Sequence, residues 1–225
     1  MNFNDIDVLI FDFDGVMWKF KDNQEYFNEW IKSYVQVMQE YLEIESDEEA
    51  HKLNMELFLE YGSTYKGLCA YMTNKGKTLP SKYEFLGKSD KHLMASGVKI
   101  KRDNELVDLI RNVKGKKKYI LSNNRAEYLE YGFNALGLNK NDFDGIICIE
   151  EDDYIKPEPE FYQKLIDVAN LDNTHKAVFF DDKDTFLETA KSLSINTVWI
   201  TDKEEDRDYV DLRTSSVKNI LKTLV

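Results

Sequence analysis

Short apolar runs alternate with amphipathic stretches in the second half of the chain, and this alternation constrains the fold more than any other feature. The apolar runs predict strands at 118–121, 145–149, 177–180 and 197–200. The amphipathic stretches predict helices at 104–113, 125–136, 159–169, 185–193 and 216–224. A further buried strand is expected at 8–11, where four apolar residues follow one another, as in a parallel strand covered on both faces. Strands that alternate with helices form a parallel sheet with right-handed crossovers, so the sequence predicts an α/β fold.

The residues between the first strand and the alternating half show a different pattern. Apolar residues at helical spacing predict three helices, at 24–42, from Ser46 to near Gly62, and at 65–72. Ser46 and Glu49 form a capping-box pattern at the start of the second helix, whereas 74–86 looks irregular. We therefore expect an all-helical insert at 18–97, and an α/β core made of 1–17 and 98–225.

The charge balance limits the classes of partner. The 225 residues carry a formal net charge of −12, which argues against a nucleic acid polymer or an anionic membrane surface as the main partner. A small anionic substrate is compatible with this charge, because a bound cation and one lysine can reverse the local field. No apolar run approaches the roughly 20 residues that a membrane span requires.

Two further features indicate a cytoplasmic protein. Cys69 and Cys148 are far apart and form no CxxC motif, so buried free thiols in a reducing compartment are expected. The first apolar run ends at Asp12 and follows no basic residue, which is not the pattern of a signal peptide. The three histidines show no metal-ligand spacing, and the sequence alone assigns no oligomeric state.

Polar residues follow four of the predicted strands, at the edge where α/β sheets bind ligands. They are Asp12 and Asp14, Ser122 and Asn123, Lys156, and Asp181 and Asp182. This set suits phosphoryl transfer through an enzyme aspartate. One carboxylate attacks phosphorus, and a second carboxyl group two residues on transfers protons. Carboxylates from two strand ends hold Mg²⁺, while a hydroxyl and an ammonium group bind the transferring oxygens.

Each of these pieces has a simpler interpretation when it is taken alone. The Asp-x-Asp-Gly segment could be a turn, although it is not a calcium loop, because Asn23 stands where that loop needs Glu. Ser122 could cap a helix, Lys156 could be a solvated loop residue, and the two adjacent aspartates could favour a helix N-terminus. Their order and their shared position at strand ends favour a phosphate-transfer site.

Four segments together resemble the motifs of the haloacid dehalogenase superfamily. They are Asp12-Phe13-Asp14-Gly15-Val16, Ser122-Asn123, Lys156-Pro157-Glu158-Pro159 and Phe180-Asp181-Asp182. The resemblance implies a Rossmann-like core and a Mg²⁺-dependent phosphatase of small phosphate monoesters.

The resemblance also implies roles for single residues. Asp12 would be the nucleophile and Asp14 the general acid/base. Ser122 and Lys156 would contact the phosphate, together with Asn123. The metal ligands would be Asp12, the Asp14 backbone carbonyl and Asp182, with Asp181 acting through water. The chain departs from the pattern at Phe186, where many members carry Asn or Asp.

The helical insert resembles the C1 cap of yeast-type pyrimidine 5′-nucleotidases in residues 50–54 and 60–68. This likeness implies pyrimidine nucleoside 5′-monophosphates as substrates, without fixing the base preference. Thr64 would then select the substrate or serve helix packing, and His51 would be structural. Three alternatives stay open: a phosphatase for another metabolite such as a sugar phosphate, a haloacid dehalogenase, and a non-catalytic binding protein. Asp14 and Asp182 argue against a dehalogenase, which lacks the acid/base and metal set.

Overall fold

The computed structural model describes residues 1–61, 63–150 and 154–225. It divides into two compact units. The first combines Met1–Asp22 with Ile100–Val225, and the second is Asn23–Lys99.

A parallel sheet forms the centre of the first unit, as the sequence predicts. Its strands in the described residues are β1 (Val8–Phe11), β2 (Lys117–Arg125), β3 (Gly145–Ile149), β4 (Ala177–Asp181), β5 (Asn196–Ile200) and β6 (Leu212–Thr214). Every pairing is parallel and the order is β3-β2-β1-β4-β5-β6. All four residues of β1 are buried because β1 lies between β2 and β4. The chain is therefore an α/β protein with a Rossmann-like core.

The second unit is helical. Its helices are α1 (Gln24–Leu42), α2 (Asp47–Tyr61), α3 (Thr64–Asn74) and α4 (Lys82–Ser96). The predicted bounds of α1 are confirmed, and Ser46 accepts a hydrogen bond from the Glu49 backbone at the start of α2, at 3.2 Å. The predicted end of the second helix, near Gly62, lies outside the described residues.

The helix α4 corrects the sequence analysis, which assigned 74–86 to irregular structure and no helix to the residues after it. Ser81 caps α4 by accepting a hydrogen bond from the Glu84 backbone at 3.1 Å. The buried face of α4 includes the polar residues Ser89 and Asp90, which interrupt the apolar stripe. Ser89 is accommodated there by a hydrogen bond of 2.6 Å to Ser33 on α1.

In the described residues of the first unit, five helices accompany the sheet, four of them before or between strands and the last after β6. They are α5 (Asn104–Asn112), α6 (Ala126–Leu136), α7 (Pro159–Ala169), α8 (Asp184–Ser192) and α9 (Val217–Leu221). One face of the sheet buries a cluster of apolar residues against α7 and α8, including Val8, Ile10, Phe161, Leu165 and Leu187. No helix in the described part of the chain is long and apolar enough to cross a membrane.

Close packing fixes α6 against Phe13, which lies two residues after the end of β1. A Cβ atom on Gly132 of α6 would lie 2.4 Å from the ring of Phe13, so only glycine allows this approach. The Phe13 ring also meets the rings of Tyr128 and Phe133 edge-on, with centroids 6.0 and 5.2 Å away. The start of α6 is thereby held beside the end of β1.

Candidate active site

Three carboxylates meet at the carboxyl edge of the sheet. Asp12 follows β1, Asp181 ends β4, and Asp182 comes next. The strands β1 and β4 are neighbours, and the Asp12 backbone N–H donates to the Phe180 carbonyl at 2.9 Å. One oxygen from each of the three carboxylates lies within 4.8 Å of the others, as the strand-end argument predicts.

The three clustered carboxylates place an excess of negative charge at one point. Burial raises the pKa of both Asp181 and Asp182, and repulsion from neighbouring carboxylates adds to the shift at Asp182. Three clustered oxygen donors with an excess of negative charge fit a hard divalent cation such as Mg²⁺. Asp12, Asp181 and Asp182 could therefore hold a metal ion.

Gly15 allows Asp182 to approach the loop that follows β1. The φ angle of Gly15 is +80°, which side chains rarely adopt, and a Cβ atom there would lie 2.5 Å from the Asp182 carboxyl carbon. Glycine is thus favoured at this position of the Asp-x-Asp-Gly motif for two physical reasons, the positive φ angle and the close approach of Asp182.

Lys156 supplies the cation that faces the cluster. Its Nζ lies 2.9 Å from Asp12 Oδ1 and 2.7 Å from Asp181 Oδ2, and its side chain is fully buried. Burial disfavours the charged ammonium, but the two carboxylates outweigh this effect and raise the pKa of Lys156. The ammonium also lies over the rings of Phe179 and Phe186, 5.1 and 4.9 Å from their centroids. Phe186, where the chain departs from the resembled motif, therefore makes an aromatic contact with the buried ammonium.

Both polar groups of the Asn123 side chain form hydrogen bonds with the Lys156 backbone. Its side-chain oxygen accepts from the Lys156 backbone N–H at 2.7 Å, and its amide nitrogen donates to the Lys156 carbonyl at 2.9 Å. The amide group therefore braces the loop that carries the buried lysine. Ser122 is fully buried nearby, within β2, which runs on to Arg125 instead of ending at Leu121.

The side chain of Asp14 is held by neutral donors. Its Oδ1 accepts from Trp18 Nε1 and from the Tyr128 hydroxyl, both at 2.8 Å, and its Oδ2 accepts from Asn124 Nδ2 at 2.7 Å. Burial, followed by the negative charge of Asp12, raises the pKa of Asp14 to about 6, against the opposing effect of the three hydrogen bonds.

The sequence analysis did not single out Trp18, Asn124 or Tyr128. Their nearness in sequence to Asp14 and Ser122 is the only signal the sequence offers. Tyr128 reaches the site through the packing of α6 on Phe13, which a linear pattern does not show.

Thr64 is the first residue of α3, in the helical unit. Its hydroxyl donates to Asn54 Oδ1 at 2.8 Å, and both side chains are buried. They line a cavity of about 740 Å³ beside α1 and α2, together with Phe27, Val35, His51 and Phe58. The hydrogen bond to Asn54 gives Thr64 a packing role inside this unit.

A family model matches most of the chain. The family described as haloacid dehalogenase-like hydrolase has a sequence model that matches residues 6–193. Among curated protein sequences, none matches this chain significantly.

Solved structures share the fold at low sequence identity. An HAD phosphatase from Thermococcus onnurineus has a TM-score of 0.67 and 18% identity, covering 97% of this chain and 98% of its own. CbbY from Rhodobacter sphaeroides in complex with phosphate has a TM-score of 0.67 and 18% identity over 96% of both chains. L-2-haloacid dehalogenase from Xanthobacter autotrophicus with chloropropionic acid covalently bound has a TM-score of 0.60 and 13% identity, covering 96% of this chain and 97% of its own. These similarities establish the fold, and they include both phosphatases and dehalogenases.

Proposed function

Because the chain belongs to the haloacid dehalogenase-like hydrolase family, we propose that it is a magnesium-dependent phosphatase that acts on small phosphate monoesters through Asp12. The observation that carries the proposal is the cluster of Asp12, Asp181 and Asp182 around one buried lysine. A nucleophilic carboxylate must meet an anionic phosphate, and this arrangement supplies the nucleophile, one buried ammonium group and carboxylates that would hold Mg²⁺.

The proposed reaction has two balanced steps. Asp12 attacks phosphorus and forms an acyl phosphate, while the bond to the leaving oxygen breaks and Asp14 gives that oxygen its proton. Asp14 then takes a proton from water, which attacks the acyl phosphate, releases inorganic phosphate and restores the Asp12 carboxylate.

Other side chains bind and orient the phosphate group. Lys156 directs one N–H to Asp12 and one to Asp181, so its third N–H is available to a phosphate oxygen. The buried Ser122 hydroxyl is the second phosphate contact. Bound Mg²⁺ supplies positive charge next to the transferring group. Its ligands would be Asp12, Asp182 and the Asp14 backbone carbonyl, with Asp181 reached through water.

The substrate class rests on the helical unit. Its resemblance to the C1 cap of pyrimidine 5′-nucleotidases favours nucleoside 5′-monophosphates, pyrimidine ones first, with Thr64 as a selecting residue. A sugar phosphate or another small phosphate ester is the alternative. The cytoplasm is the proposed location, because Cys69 and Cys148 are not joined in a disulfide, as suits a reducing compartment.

A single set of assays tests the proposal. Phosphate release is measured from a panel of nucleotides, sugar phosphates and p-nitrophenyl phosphate, with Mg²⁺ and with a chelator. The same protein is tested for chloride release from 2-chloropropionate, because dehalogenases share the fold. We expect phosphate release that requires Mg²⁺ and no chloride release. Chloride release without phosphate release would replace the proposal by dehalogenation. The absence of both products would favour a binding protein.

A further inference from the structure

Three donors from different parts of the α/β unit converge on the carboxyl group of Asp14. Trp18 lies four residues further along the chain, Asn124 lies near the end of β2, and Tyr128 lies on α6. All three hydrogen bonds are between 2.7 and 2.8 Å long. Such convergence on one side chain indicates that its orientation is fixed by the fold.

We propose that Trp18, Asn124 and Tyr128 are positioning residues that hold Asp14 so that its Oδ2 atom carries the proton for the leaving oxygen. The proposal rests on the proposed function, in which Asp14 is the general acid/base. It adds three residues that the family motifs do not include, and it assigns the proton to one of the two carboxyl oxygens.

The choice of Oδ2 follows from counting acceptor sites. A carboxylate has about four lone-pair sites, two on each oxygen. Trp18 and Tyr128 occupy both sites on Oδ1, whereas Asn124 occupies one site on Oδ2. The indole and the amide nitrogen only donate, so they do not accept a proton from Asp14. The site left on Oδ2 is therefore the one open to a leaving oxygen or to water.

Packing makes these donors rigid. Trp18 and Tyr128 are almost fully buried, and the Tyr128 ring packs edge-on against Phe13, the residue between the two motif aspartates. Gly132 allows α6 to come close enough for this contact. Each donor is thus held by side-chain packing or by the sheet, as a positioning residue requires.

Asn124 also connects the acid with the phosphate site. Its Nδ2 donates both to Asp14 Oδ2 at 2.7 Å and to Ser122 Oγ at 3.0 Å. A single amide nitrogen therefore sets the position of the proton donor relative to a proposed phosphate contact. This link keeps the acid aligned with the bond that breaks.

The consequence depends on the leaving group. An alkoxide must receive a proton as it departs, whereas p-nitrophenolate is stable enough to leave without one. General acid catalysis is typically worth roughly 10²–10⁴-fold. Disturbing the orientation of Asp14 should thus slow the hydrolysis of alkyl phosphates strongly and that of activated aryl phosphates weakly. A loss of folding or of phosphate binding would slow both classes equally.

The experiment compares kcat/KM for an alkyl substrate, uridine 5′-monophosphate, with that for p-nitrophenyl phosphate. This quantity reports steps up to departure of the leaving group, so the later hydrolysis does not mask the effect. The variants are Tyr128→Phe and Asn124→Ala. The control is Tyr119→Phe, which also removes a hydroxyl from a buried tyrosine of the same unit. The Tyr119 hydroxyl forms no hydrogen bond to another described residue.

We expect both variants to lower kcat/KM for the alkyl substrate by roughly tenfold or more and for the aryl substrate by less than about threefold. The control should leave both values unchanged. An equal loss on both substrates, or no loss on either, would overturn the positioning role. If Tyr128→Phe unfolds, as a thermal melt would show, Asn124→Ala decides the result on its own. Failure of the wild-type protein to release phosphate would instead overturn the proposed function, and this role with it.

Discussion

Replacing Asp182 by asparagine should stabilise the metal-free protein and reduce the further stabilisation that Mg²⁺ gives. The cluster contains three carboxylates and the ammonium of Lys156, which sum to −2 when all are ionised. A bound Mg²⁺ brings this sum to zero. The substitution Asp182→Asn removes one repelling charge and also one ligand, while it keeps the size of the side chain.

The metal-free variant should be more stable than the metal-free wild type. Burial, then repulsion from Asp181 and Asp12, raises the pKa of Asp182 to about 8. A raised pKa means that the folded state binds the proton more tightly than the unfolded chain does. The ionised group thus destabilises the fold progressively as pH rises from the usual value of 3.8 towards 8. The amide does not ionise, so its advantage should grow with pH over this window.

The stabilisation that Mg²⁺ adds should be smaller in the variant than in the wild type. At about 100 times the Kd, mass action stabilises the native state by about 2.7 kcal/mol. A tenfold weaker site at the same concentration would contribute about 1.4 kcal/mol. Because each kcal/mol shifts the Tm of a chain of this length by about 2–4 °C, the Mg²⁺ shift should fall to roughly half of its wild-type value.

Thermal melts of wild type and Asp182→Asn, with Mg²⁺ and with a chelator, measure both effects. Asp208→Asn serves as the matched control, because Asp208 is exposed and lies outside the cluster. An undiminished Mg²⁺ shift in Asp182→Asn would place the metal elsewhere. A metal-free variant less stable than the wild type would refute the argument from charge repulsion.

Three further predictions concern other parts of the molecule. Asp12→Asn should abolish phosphate release without unfolding the protein, as circular dichroism would show, because an amide is a poor nucleophile; near wild-type turnover would exclude a covalent role. Thr64→Val should change the ratio of kcat/KM between pyrimidine and purine monophosphates more than it changes hydrolysis of p-nitrophenyl phosphate; equal slowing would leave Thr64 only a folding role. Burial opposes the ionised form of Asp211, but hydrogen bonds from Lys191 and Thr197 outweigh it and lower the pKa of Asp211. The stabilisation is therefore present above pH 3.8 and lost as pH falls, so Asp211→Asn should cost about 1 kcal/mol in urea melts at pH 7 and less in acid.

The sequence predicts an element well where its pattern is uninterrupted. The strand β1 and the helix α1 have the predicted bounds, because β1 is buried on both faces and α1 carries one continuous apolar stripe. The helix α4 was missed because Ser89 and Asp90 lie on its buried face. The strand β6 was missed because it has three residues and none of them is fully buried.

The same distinction applies to the site. The sequence could predict that three carboxylates lie together, those of Asp12, Asp181 and Asp182. Parallel strands end at one edge of the sheet, and β1 is the neighbour of β4. The sequence could not predict the hydrogen-bond donors to Asp14, since the contact of α6 with Phe13 places Tyr128 there. The contact of Lys156 with Phe186 could not be predicted either, because the motif predicts a polar residue at position 186.

The two motif aspartates show how one short segment supports two chemical roles. Asp12 contacts the ammonium of Lys156 and two further carboxylates, so its surroundings suit a nucleophile whose charge is matched by cations. Asp14, two residues on, accepts hydrogen bonds from three neutral donors through its side chain, and burial raises its pKa to about 6. A group with a pKa near neutrality can both give and take a proton, as the two proposed steps require. The difference between the roles thus arises from the neighbours that the fold provides, and the test of those neighbours is the leaving-group dependence of the variants of Asn124 and Tyr128.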